Sequence, residues 1–206
     1  MRVLLVGMLG ATPGLAQSLR EALFQAIDAG NGAEVARLGR AGVHYTARNA
    51  NGESPLYFAV EKERTSIALM LLAHGADIDA RTRNGETALH AASLHGDPAL
   101  AALLLTRGAK AGASNKDGET PLHWAAMTGT AAVVKLLVER GASVRAADGA
   151  GNTPVHGAAA SGNVELVAYL LAKKARASAR NKAGRRPVDL ARARGHAAVV
   201  ELLAKK

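Results

Sequence analysis

The chain has 206 residues and a formal net charge of +9, and it is 49% hydrophobic and 21% charged. Those proportions exclude a disordered polymer and suit one well-buried domain. Only 3% of the residues are aromatic and none is cysteine, which excludes disulfides, thiolate metal sites and a cysteine nucleophile. The apolar content is mostly Ala, Leu and Val, a composition that favours closely packed helices over a β-sandwich. No segment approaches the ~20 apolar residues that span a bilayer.

The first sixteen residues, MRVLLVGMLGATPGLA, admit two readings. Val3–Val6 followed by Gly7, Gly10 and Gly14 could be a strand feeding a phosphate loop. That requires a βαβ unit with an acidic residue about twenty positions on, and no second strand follows. The other reading is a secretory signal: Arg2, an apolar core from Val3 to Ala11, and small residues at Gly14 and Ala16 before a cleavage point. The expectation is export, to a bacterial periplasm, with cleavage after Ala16 and a mature chain from Gln17; a cytoplasmic location is the alternative. Ser18-Leu-Arg-Glu21 reads as a capping box, so the folded part is expected to start at Ser18.

From residue 49 onward a period of 33 dominates. Gly52, Gly85, Gly118, Gly151 and Gly184 are each 33 residues apart. A second ladder runs through Gly42, Gly75, Gly108 and Gly141, with Lys174 at the next position. Between Asp117 and Ala147 one unit can be read by local physics. Asp117-Gly118 signals a turn, Thr120 is a natural N-cap and Pro121 suits the first helical position. A short helix is predicted to about Thr128, a second over Ala131–Glu139 ending at Gly141, and an extended hairpin arm after it.

Thr120-Pro121-Leu122-His123-x-Ala125, with its near-copies at Thr87–His90 and Thr153–His156, resembles the signature of the ankyrin-repeat family. The resemblance implies an all-α solenoid of about six helix-turn-helix units with short β-hairpin fingers. Its units would be residues 17–48 (N-terminal cap), 49–81, 82–114, 115–147, 148–180 and 181–206 (C-terminal cap). The last unit replaces the signature with Arg186, Pro187, Val188 and Asp189, as a cap with one face in water should.

His90, His123 and His156 recur once per unit. A metal needs three or four ligands converging at about 2 Å, whereas one residue per unit spreads them along the stack. By resemblance, each ring bonds the nearby threonine and a backbone carbonyl of the adjoining loops. Trp124 follows a signature histidine, where the family packs an apolar residue between helices. No nucleophile motif or metal-ligand spacing occurs, so no catalytic residue, metal or cofactor is expected.

The charge is uneven. Residues 17–81 hold 7 Lys+Arg against 8 Asp+Glu, a net of −1, and residues 82–147 hold 7 against 5, a net of +2. Residues 148–206 hold 11 against 4, a net of +7. That end is either a docking end for an acidic protein or another polyanion, or a cap kept soluble by its charge. Specific nucleic-acid binding is not expected, because stacking aromatics are absent from this stretch.

The resemblance implies a non-catalytic, monomeric protein-binding module that uses its concave finger and first-helix surface. Carried onto this sequence, the contact positions are Arg83, Asn84, Glu86, Leu94 and His95, then Lys116, Asp117, Glu119, Met127 and Thr128. Asn152 and Ser161 follow, then Lys182 and Arg185. Leu94 and Met127 stand at matching positions in adjacent units and would form a small apolar patch.

Overall fold

The computed structural model describes residues 13–205. Twelve helices occur among them and no strand. The first helix of each pair is α1 (Pro13–Asp28), α3 (Pro55–Glu61), α5 (Ala88–His95), α7 (Pro121–Thr128), α9 (Pro154–Ser161) and α11 (Pro187–Ala193). Their partners are α2 (Gly32–Arg40), α4 (Thr65–Ala73), α6 (Pro98–Thr106), α8 (Ala131–Glu139), α10 (Val164–Ala172) and α12 (Ala197–Ala204). Each helix packs on its partner, and the first helices follow one another in a row from α1 to α11.

The helix boundaries have local causes. Ser54, Thr87, Thr120 and Thr153 sit in extended backbone just before their helices, and proline follows three of them. That proline lacks only an N–H which no helical carbonyl would accept. Asp97 caps α6 by accepting from the N–H groups of Ala99 and Leu100 at 2.9 and 3.0 Å. α5, α7 and α9 end at Gly96, Gly129 and Gly162, all in the left-handed conformation.

The core is built from two kinds of apolar residue. Ala91, Ala92, Ala125, Ala126, Ala158 and Ala159 are fully buried on the first helices, and their small side chains let neighbouring units approach closely. The second helices supply bulk: Leu38, Leu71, Leu104, Leu137 and Leu170 are all 0% exposed and 33 residues apart. Burying one such leucine is worth about 1.5–3 kcal/mol, so each added unit extends a continuous apolar column. Leu203, next in the column, is 6% exposed at the end of the stack.

The fingers between units are tight turns. Asn115 N–H donates to the Glu119 carbonyl at 2.8 Å and Gly118 N–H to the Asn115 carbonyl at 3.1 Å. Adjacent fingers are joined by backbone bonds such as Lys116 N–H to Asn84 O at 2.8 Å. Gly118 has φ +75°, and a Cβ there would stand 3.0 Å from the backbone nitrogen of Gly149 in the next finger. Both requirements select glycine.

Two local expectations need correction. Ser18 lies within α1 (Pro13–Asp28), inside a helix, and caps nothing. The Glu21 carboxylate accepts from Gln17 Nε2 at 3.0 Å instead of closing a box on Ser18. An N-cap needs non-helical backbone, which a serine inside a helix does not have. The arm after α8, expected to be extended, contains a turn closed by Ala146 N–H on the Ser143 carbonyl. The expected signal segment lies mostly outside the described residues; only its last four fall within α1.

Candidate docking surface

The finger and first-helix face is organised around the repeated histidines. Thr120 N–H donates to Nδ1 of His123 at 3.1 Å, with the Thr120 hydroxyl 2.9 Å from the same atom. Nε2 of that ring lies 3.1 Å from the Asn152 carbonyl in the following unit. A backbone N–H can only donate and a carbonyl only accept, so the ring is the neutral Nε2–H tautomer. His90 repeats the pattern on Thr87 and the Glu119 carbonyl, and His156 repeats it on Thr153 and the Arg185 carbonyl. Burial holds all three imidazoles below the usual histidine range, because a charged ring loses its hydration there. In the last unit the Asp189 carboxylate takes over, accepting from Arg186 N–H at 2.8 Å.

A second ladder holds the fingers. Asn115 Oδ1 accepts from the N–H groups of Asp117 and Glu119 at 3.0 and 2.9 Å. Asn49, Thr82 and Asp148 make the same pair of bonds in their fingers, and Asn181 makes one of them, to Arg185 N–H. These residues were missed as a set in the sequence, although they too stand 33 apart and precede the turn glycine by three. Among the described residues no group of three or more His, Cys, Asp or Glu is placed to hold a metal.

With helix pairs, fingers and histidine ladder in view, the comparisons with known families become decisive. The family model described as "Ankyrin repeats (3 copies)" matches residues 78–148 and 141–206, and the one described as "Ankyrin repeat" matches residues 51–83. The chain belongs to the ankyrin-repeat family. As such it is a protein–protein interaction module. No curated protein matches the chain.

The expected contact residues of this ankyrin stack divide into three groups. Arg83, Asn84, Lys116, Asp117 and Lys182 are exposed at finger tips, as is Arg185 beside the last one. Leu94 and Met127 are exposed at 37% and 53% on α5 and α7, with Thr128 beside Met127.

The remaining positions are already engaged within the fold. Glu86 Oε2 accepts from the Thr82 hydroxyl at 3.0 Å and the Tyr57 hydroxyl at 3.3 Å. Glu119 Oε2 accepts from Asn115 Nδ2 at 3.0 Å and Trp124 Nε1 at 2.8 Å. Asn152 donates to Asp148 and accepts from Asn181 Nδ2 at 2.8 Å. Ser161 donates to the Ala158 carbonyl. His95 lies 3.4 and 3.6 Å from the carboxylates of Glu61 and Glu63, which ties it to the preceding unit.

Trp124 departs from the core role expected of it. It is half-buried, with its ring edge-on to His90 at 5.3 Å. The indole N–H draws it toward Glu119, because a buried N–H without an acceptor would cost about 1–3 kcal/mol.

At the basic end, part of the charge is compensated. Arg186 and Arg192 lie 3.2 and 3.6 Å from the Asp189 carboxylate. Lys173 stands over the Tyr169 ring at 5.6 Å.

Proposed function

We propose that the chain is a non-catalytic docking module that binds a protein partner on the concave surface of its fingers and first helices. The carrying observation is the exposed pair Leu94 and Met127, in register on adjacent units and flanked by the polar tips Arg83, Asn84, Lys116 and Asp117. An apolar centre with a polar rim is the usual anatomy of a protein interface. The fold tolerates variation there, since neither exposed side chain supports the leucine column. The test is a pull-down on the purified chain with Leu94→Glu and Met127→Glu together. Partner capture should be lost in that variant and retained in Ala132→Glu on the outer helix α8, with helicity unchanged in both. Equal capture by both variants refutes the concave reading.

The proposed site of action is the periplasm, after cleavage behind Ala16. Its support is the order of Arg2, the apolar stretch and the small residues before Gln17. Intact-mass measurement on protein from its native host tests it: a chain beginning at Met1 refutes export.

A second reading, binding of a polyanion by the basic end, has its own observation. Arg145, Arg176 and Arg180 line a groove of about 400 Å3 with no carboxylate among its lining residues. Binding of this kind should collapse with salt and with Arg176→Glu and Arg180→Glu. Arg186 is a poor probe, because its guanidinium bonds Asp189 at the start of α11.

A further inference from the structure

One position on the first helices changes character along the stack. Phe58, Ala91, Trp124, Gly157 and Leu190 stand 33 residues apart. Trp124 leans back toward the preceding unit, edge-on to His90 and bonded to Glu119. Gly157 has no side chain, and Leu190 follows one unit later. A groove of about 310 Å3 lies between them, with Met127, Ala160, Leu190 and Ala193 among its lining. A Cβ on Gly157 would stand only 3.2 Å from the backbone nitrogen of Met127. The groove is therefore set by how closely α9 packs on α7, not by a side chain that could swing away. Glycine inside a helix costs about 1 kcal/mol relative to alanine, and this close approach is what it permits.

The charges around the groove are of two kinds. Its carboxylates, Glu119 and Asp148, are committed to their own fingers. Glu119 takes Asn115 Nδ2 and the Trp124 indole, and Asp148 takes two backbone N–H groups and the Asn152 amide. The arginines are differently placed. Arg194 is fixed by one bond from Nη1 to the Ala160 carbonyl at 3.0 Å, which leaves its other donors uncommitted. Arg185 is exposed, and its guanidinium has no hydrogen-bond or ion-pair partner among the described residues. Arg185 also ends a rung that reads Glu53, Glu86, Glu119, Asn152, Arg185. The sign of the side chain next to the turn thus reverses where the groove opens.

We propose that this groove is the specificity pocket of the docking surface, and that it takes an extended acidic segment of a partner protein. One large aliphatic or aromatic side chain of that segment sits over Gly157 against Met127 and Leu190. Carboxylates flanking it pair with Arg185 and Arg194. The inference rests on the concave docking reading above and adds the chemistry of the occupant. An apolar anchor supplies buried area, and two guanidiniums with unused donors select acidic neighbours through charge-assisted bonds. A basic segment would meet the same two arginines unpaired, which is how the groove would reject it.

The test uses the full chain to pan a random twelve-residue peptide library displayed on phage. Selected peptides are then synthesised with a fluorescent label and titrated by anisotropy. The expected consensus is a large apolar residue with Asp or Glu within three positions. Arg185→Glu should weaken such a peptide at least tenfold, as should Ala193→Glu, and replacing the peptide's acidic residues with lysine should restore binding to Arg185→Glu. Circular dichroism confirms that each variant is folded. A consensus without acidic residues, no enriched peptide at all, or titrations indifferent to Arg185→Glu would each overturn the inference. Peptides indifferent to Arg185→Glu but lost on Leu94→Glu would overturn the groove assignment while leaving concave docking intact.

Discussion

Acidification should unlock the stack through His90, His123 and His156. Each ring is neutral, with Nδ1 accepting from a threonine N–H and Nε2 donating to a carbonyl of the next unit. A proton on Nδ1 would place two donors face to face, and burial already holds the three rings below the ordinary histidine range. The sign follows from linkage. Above the unfolded-chain value of about 6.5 both states are neutral and the ladder contributes fully. As pH falls below it, the unfolded chain takes up protons that the native rings refuse, and stability is lost until the folded values are passed. One proton of difference is worth about 1.4 kcal/mol per pH unit, so three rings set a limit of about 4 kcal/mol per unit. Urea unfolding followed by circular dichroism between pH 7.5 and 5.0 measures that slope. His123→Gln removes one of the three titrating rungs and should reduce the slope by about a third. A midpoint that does not move between pH 7 and 5, or a slope unchanged by His123→Gln, would refute the reasoning.

Two backbone predictions accompany it. Lys174 has φ +67° at the position where Gly42, Gly75, Gly108 and Gly141 stand in other units. Lys174→Gly should stabilise the chain by about 0.5–1 kcal/mol, and the bond from Arg145 Nε to the residue's own carbonyl should survive; a lower melting temperature would contradict this. Gly118→Ala should be more costly than Gly184→Ala. Both have positive φ, but only Gly118 has a neighbouring finger within 4 Å of the added Cβ. The last finger's strain alone should amount to about 1–2 kcal/mol, and equal losses in the two variants would sink the close-approach explanation. In the core, Leu137→Ala should cost about 2–5 kcal/mol by equilibrium unfolding, since Leu137 is 0% exposed in the middle of the leucine column; a loss within 0.5 kcal/mol, as for a surface change, would refute its role there.

The helices were legible because their signals are local and repeated. Thr120, Pro121, Gly129 and Gly141 each act on the chain beside them, and the predicted helices coincide with α7 and α8. The histidine bonds were expected only through the family resemblance; the spacing by itself argued no more than that the rings do not converge on a metal. Ser18 misled, because the same four residues can form a capping box or continue a helix, and here they lie inside α1. The engagement of Glu86, Glu119 and Asn152 could not be read in one dimension, since it depends on which neighbour comes within 3.3 Å. The groove over Gly157 was hidden for a similar reason. It arises from the close approach of α9 to α7 at Gly157, a contact between units that no local signal reports.

The most direct measurement is site-specific photocrosslinking of the docking face. A benzophenone amino acid would be placed at Met127, 53% exposed on α7, or at Ala132, exposed on α8, in protein made in its native host. Illumination should join a partner protein to the chain from position 127 and not from position 132. Adducts from position 132 alone, or equal adducts from both, would contradict docking on the finger and first-helix surface.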